Sequence, residues 1–349
     1  MNAPVQKTRS MSTQTEVPRK RDVNIQVCIE EAMVSHKKCH KSRKFEFFTG
    51  LNAADFEALY QFFGGNDCFL RLKLNYRIDT PKKLQQSRIG GRDRLMMFLL
   101  RLRRGLPLEE LSFIFGISPS YAGELCYVVT RVVFLTFKTL EEKIFISAAR
   151  QAQSKPRIMK PFKNLRVIVD GAYFLVQTPS NFHQQGNTFS KYKESNAIEH
   201  IIGVSCHGSV IFCSPGFEAN MSEKEAVLNS NLLQMLSEGD SVMSDRGFEL
   251  VEELQMIGVH LYKPPNKCGD LSLTAEQEIL TKQIASARIY SEHAIADIKD
   301  CRLLQSKGVL TMLPVWPQLV FISAMLTNCK ESRIKDKNVA VEECDSSTQ

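Results

Sequence analysis

The chain has 349 residues, 43% of them hydrophobic and 24% charged, with a net charge of +7. This excludes collagen-like, low-complexity and wholly disordered chains, and the length suffices for two domains with a sizeable core. The best candidate for a membrane span, Leu95 to Leu102, is too short and is followed by Arg103 and Arg104, so no membrane segment is expected.

Residues 1–44 carry a net +6, residues 330–349 a net −1, and the long middle only +2. The N-terminus lacks the apolar run of a signal peptide. A basic leader over 1–44, with Arg19-Lys20-Arg21 and then Lys37, Lys38, Lys41, Arg43 and Lys44, suits a polyanion partner and nuclear import. Solvated disorder accounts for it equally well. The tail, 329–349, is polar and expected to fray. Ten cysteines are scattered without a Cys-x-x-Cys pair. Cys28, His36, Cys39 and His40 come nearest to zinc-ligand spacing, and free thiols in a reducing compartment are the stronger reading.

Residues 45–150 read as an all-α domain. Asn52 caps a helix with Phe56, Leu59, Tyr60 and Phe63 on one face. A second helix runs from Arg92 to Arg104, with Leu95, Phe98, Leu99 and Leu102 on one side, and Gly105 and Pro107 end it. Leu108 to Phe115, the turn Gly116-Ile117-Ser118 and a helix from Pro119 to about Phe134 have helix-turn-helix spacing. An ordinary helical corner fits the same pattern. The second helix (Tyr121, Ala122, Gly123, Glu124, Tyr127) is poor in cations. Arg101, Arg103, Arg104 and Arg131 therefore suit phosphate contact better than base readout.

Residues 160–328 change character. Strands are expected at Leu165 to Asp170, Tyr173 to Gln177, Ile198 to Cys206 and Ser209 to Ser214. Ser222 to Glu225 is a capping box opening a helix to about Leu236. A strand follows at Ser241 to Asp245, a helix at Phe248 to Ile257 and a strand at Val259 to Tyr262. Thr274 to Gln277 is a second capping box, opening a helix to about Cys301. The pattern is α/β: a mixed sheet flanked by helices.

Two acids end apolar strands, Asp170 and Asp245. Glu292 lies on the late helix beside Arg288 and Lys299, next to an apolar stripe that includes Ile284, Ala287 and Ile295. Strand-end acids in α/β folds face the ligand crevice. Three converging acids are tolerable around a hard divalent cation such as Mg²⁺ or Mn²⁺, and such a site suits in-line phosphoryl displacement. Each acid also has a structural alternative: a strand-end turn for Asp170, an Asx turn before Gly247 for Asp245, and an i, i+4 pair with Arg288 for Glu292.

Several motifs, in order, carry a family resemblance. They are Val167-Ile-Val-Asp170, Gln177-Thr-Pro179, Ser222-Glu-Lys-Glu225, Gly239 to Phe248, Lys263-Pro-Pro265, Ile284 to Ile295, Ile298-Lys299 and Arg302-Leu-Leu304. Together they resemble the DDE superfamily endonuclease domain of PIF/Harbinger-type transposases. Gly91 to Leu95, Leu102 to Leu106 and Leu108 to Ser118 resemble the helix-turn-helix domain that precedes it in related transposases. The resemblance implies a ribonuclease-H-like fold over 160–328, with Asp170, Asp245 and Glu292 as a metal-binding catalytic triad. It also implies DNA strand hydrolysis, extending to strand transfer, with Mg²⁺ or Mn²⁺. Lys191, Lys193, Arg246, Arg288 and Lys299, with Arg103 and Arg104 of the helical domain, are then the phosphate contacts. DNA is the implied partner, in the nucleus, with a second copy of the chain or a separate DNA-binding protein assisting.

Three positions depart from the family pattern. Gly171-Ala172-Tyr173 stands where a second acid is common, His293 where Arg is common, and Asp297 where a basic residue is common. The rival reading is a domesticated protein that binds DNA, or another partner, without catalysis.

Overall fold

The computed structural model describes residue 36 and residues 43–72, 89–265 and 273–330. Nearly all of the expected leader and tail, with Cys28, Cys39 and His40, lie outside the described residues. Among the described residues no helix is long and apolar enough to cross a membrane. Cys68, Cys126, Cys206, Cys213, Cys301 and Cys329 are free thiols.

The N-terminal part is helical. α1 (Arg43–Thr49), α2 (Ala53–Phe62) and α3 (Gly65–Leu70) pack beside α4 (Gly91–Arg104). The Asn52 side chain accepts the Asp55 amide at 2.9 Å, the expected cap, and Phe56 and Tyr60 are buried. Gly105 ends α4 at φ 67°, a left-handed conformation that glycine adopts without a Cβ clash.

The helix–turn–helix pair is present as elements. α5 (Leu108–Phe115) stops at Gly116, φ 64°, and Ser118 caps α6 (Pro119–Lys138) by accepting the Tyr121 amide. α6 runs four residues beyond its expected end because Val129, Val133 and Phe137 continue its buried stripe.

One sheet forms the second part. β1 (Leu165–Leu175) is central, antiparallel to β3 (Ser195–Val204) and parallel to β6 (Ser241–Met243). β2 (Phe189–Ser190), β4 (Val210–Cys213) and β5 (Phe217–Glu218) pair with β3, and β7 (His260–Tyr262) extends β6 in parallel. Between β1 and β2 lies a short helix, α7 (Phe182–Thr188).

The expected helix from Ser222 to Leu236 is two pieces, α8 (Glu223–Leu228) and α9 (Leu232–Met235). The break falls at Asn229-Ser230-Asn231, where the Ser230 hydroxyl donates to the Val227 carbonyl and accepts the Leu232 amide. Such local bonds compete with helix continuation. The helix expected over 248–257 is confined to α10 (Val251–Met256), with Phe248 and Leu250 buried ahead of it. The second capping box opens α11 (Ala275–Lys299) as expected. The short α12 (Arg302–Gln305) and then α13 (Trp316–Thr327) follow.

The sheet has an apolar layer on each face. β1 alternates between them, as a strand must. Ile168, Ala172 and Phe174 enter the layer of α4, α6, α11 and α13, while Val167 and Val169 enter a smaller layer with Ala226, Val227 and Leu254. The first layer is continuous from Phe45 to Leu326, so the helical part and the sheet share it.

Candidate active site

Strand register brings two of the expected acids together. Ile168 pairs with Met243 across the parallel β1–β6 ladder. Asp170 lies two residues further along β1 and Asp245 two residues past the end of β6, close enough for the Asp245 charge to act on Asp170. Asp170 is half-buried. Arg288 reaches it from α11 at 3.2 Å, and the Ser291 hydroxyl donates to the same oxygen at 3.3 Å. Burial nevertheless raises the Asp170 carboxyl above the usual range; the Asp245 charge adds to this and Arg288 opposes it. Asp245 Oδ1 is buried without a hydrogen-bond partner.

Glu292 is placed differently. It is exposed on α11, one turn beyond Arg288, on the flank shared with Arg288 and Lys299. No hydrogen bond or ion pair joins it to Asp170 or Asp245.

Two other acids approach the pair, and sequence reasoning missed both. Glu223 is the first residue of α8. Burial pushes its carboxyl up to about 7, helped by the charges of Asp245, Glu199 and Asp170. Glu199 lies on β3, fully buried, with the Tyr173 phenol beside its carboxyl. Its carboxyl is raised by burial. The two meet above Gly171, where a Cβ would come within 2.8 Å of Glu199 Oε1 and 3.1 Å of Glu223 Oε1. Gly171 therefore makes room for the carboxylates. Tyr173, directly across from Glu199, has its phenol held well above the usual range, chiefly by burial and then by the Glu199 charge. A signal was present for Glu199, a charge inside the apolar run Ile198 to Val204. Glu223 was masked by its place inside the Ser222–Glu225 capping box, whose own partners are Ser222 and Glu225.

The expected phosphate contacts divide into two groups. Lys191, Lys193 and Arg246 are exposed. Lys299 is half-buried, with Nζ 5.5 Å from the Phe174 ring centroid, and burial lowers its ammonium below the usual range. Arg288 is engaged with Asp170. Arg103 pairs with Asp300 at 2.5 Å, and Arg104 lies over the Phe47 ring at 4.1 Å, so both pin α4 to its neighbours.

Among the described residues, no three acids, histidines or cysteines are grouped so as to hold a metal ion. The donor chemistry of the strand pair still fits a hard divalent cation. It offers two adjacent carboxylates, one with a buried, unpartnered oxygen, in surroundings that lift acid pKa values and so favour an added positive charge.

Residues 169–328 match the family model of the DDE superfamily endonuclease. The match opens one residue before Asp170 and closes just after α13. It takes in the strand pair, Glu199, Glu223 and Glu292, and leaves the helices before β1 outside. No curated protein and no solved structure matches the chain. The curled mixed sheet with flanking helices fits a DDE nuclease fold.

Proposed function

We propose that the protein is a divalent-metal-dependent DNA endonuclease of transposase origin, of the PIF/Harbinger type and with a ribonuclease-H-like catalytic domain. The observation that supports this reading is that Asp170 and Asp245 follow the paired strands β1 and β6 and interact electrostatically, inside the segment similar to DDE endonucleases. Asp170 and Asp245 would hold the cation, with Glu292 joining them from the flank of α11. When bound, Mg²⁺ or Mn²⁺ supplies an activated water and charge neutralisation for in-line displacement at phosphorus.

The chain's own residues do the rest. Arg288 and Lys299 hold positive charge beside Asp170, where a phosphodiester approaches. Lys191, Lys193 and Arg246 contact backbone phosphates and position the strand without reading its sequence. Glu223, poised near neutrality, can hold or release a proton at its carboxyl. Strand transfer is the same displacement with a 3′-hydroxyl in place of water. The α5–α6 pair and the basic leader add DNA contacts, and the leader directs the chain to the nucleus, where a second copy or a partner protein supplies specificity.

The test is nicking of supercoiled plasmid by the full chain. Wild type should nick with Mn²⁺ or Mg²⁺ and not in chelator, and Asp245→Ala should bind DNA but leave plasmid intact. One observation favours a second reading, a non-catalytic DNA-binding protein of the same descent: Arg288 already neutralises Asp170 while Glu292 faces solvent. Wild type that binds plasmid and never cuts it would decide for that reading.

A further inference from the structure

Tyr173 lies three residues beyond Asp170 on β1 and forms one wall of a surface groove of about 810 Å³. Phe182, Phe189 and Tyr192 form the others, with Lys191 and Asn220. Phe182 is 88% exposed, Tyr192 79% and Phe189 41%. Phe182 opens α7, and Tyr192 sits in the turn between β2 and β3. Single exposed apolar side chains are ordinary on a protein surface, but three aromatic rings facing water in one groove are not.

Two lysines stand at the groove: Lys191 lines it and Lys193 neighbours two of its rings. Lys193 Nζ lies 4.4 Å from the Tyr192 ring centroid and 5.9 Å from that of Tyr173, and those two rings are 6.3 Å apart. The turn carries Lys191 and Lys193 against the single acid Glu194. Flat aromatic faces interleaved with ammonium groups match a ligand with flat π-faces on a polyanionic backbone. A DNA duplex keeps its base faces stacked inside, and an unpaired strand exposes them.

We propose that this groove binds an unpaired DNA strand, with bases stacked on Phe182 and Tyr192 and phosphates on Lys191 and Lys193, where the strand leaves the carboxylate site. This rests on the reading of that site as one acting on DNA, and it adds that the DNA beside the acids is locally unpaired.

The experiment uses the full chain, labelled oligothymidine and a duplex of equal length, all in chelator so that binding is read without cleavage. Wild type should bind the single strand more tightly than the duplex. Phe182→Ala/Tyr192→Ala should lose about tenfold or more in single-strand affinity, the scale of losing base–aromatic stacking, with duplex affinity little changed. Both side chains are exposed, so the double variant should melt like wild type.

Tyr192→Trp gives a second readout. The protein's only tryptophan, Trp316, is 1% exposed, so a new indole in the groove reports separately. Its emission should quench on adding oligothymidine, with affinity kept. The proposal is overturned if the double variant binds the single strand like wild type, if the Tyr192→Trp emission is unmoved at saturation, or if wild type binds no single strand. The last result would leave the groove to a protein partner. Failure of the nuclease reading looks different: no plasmid nicking, with single-strand binding as described.

Discussion

Glu223 has a carboxyl near 7 in the folded chain against an ordinary 4.5, and this ties fold stability to pH. Below pH 4.5 the group is protonated in both states. Between 4.5 and 7 the unfolded chain releases the proton first, so the fold loses stability as pH rises through this window. In chelator, Glu223→Gln should melt above wild type at pH 8 and level with it at pH 4. The gap at pH 8 should be of order 1–3 kcal/mol, discounted for partial exposure. A gap that stays constant with pH would refute the linkage. Arg288 works in the opposite sense. Arg288→Ala removes the only cation paired with the Asp170 carboxylate among the described residues, and urea titration should show a loss of about 1–3 kcal/mol. Asp170 and Asp245 stood out in the sequence because each follows an apolar run, although β1 continues through Asp170 to Leu175 and Asp245 lies beyond β6. Glu199 and Glu223 did not, since their nearness depends on which face of β3 meets the start of α8.

At the scale of elements, local rules were readable wherever a local signal fixes the backbone. Asn52, Ser118 and Thr274 cap the helices they were expected to cap, and Gly105 and Gly116 end theirs. The division of α8 from α9 was not readable, because Asn229-Ser230-Asn231 is tolerable in a helix and breaks it here through side-chain bonds. α13 is apolar all round, with nearly every residue buried, so it lacks the one-sided stripe that marks a surface helix. Close packing between strands gives a sharper expectation. A Cβ on Gly203 of β3 would meet Val167 Cγ2 at 2.7 Å and Phe212 Cβ at 2.9 Å. Gly203→Ala should cost about 1–3 kcal/mol by overpacking, measured as a lowered denaturation midpoint with the slope unchanged.

Taken whole, the molecule joins its helical part to its sheet through α6, α11 and α13. The Phe134 and Phe321 rings meet edge to face at 5.3 Å, and Lys138 Nζ lies 4.8 Å from the Phe321 ring centroid. Phe321→Ala should cost about 3–5 kcal/mol. Helical circular dichroism and Trp316 emission should then fall together, because the layer they report on is one. Two separated transitions would show that the layer is not cooperative. Such long-range sharing is invisible to periodicity, which sees one element at a time. The short ladder between β1 and β6 has a final consequence. Because side chains alternate along a strand, sliding β6 by a single position against β1 would turn its side chains to the opposite layer and shift Asp245, which follows it. A one-residue deletion between Ser241 and Ser244 would therefore preserve every acid in the chain and still scatter them, making the spacing of this short strand as decisive for chemistry as the acids themselves.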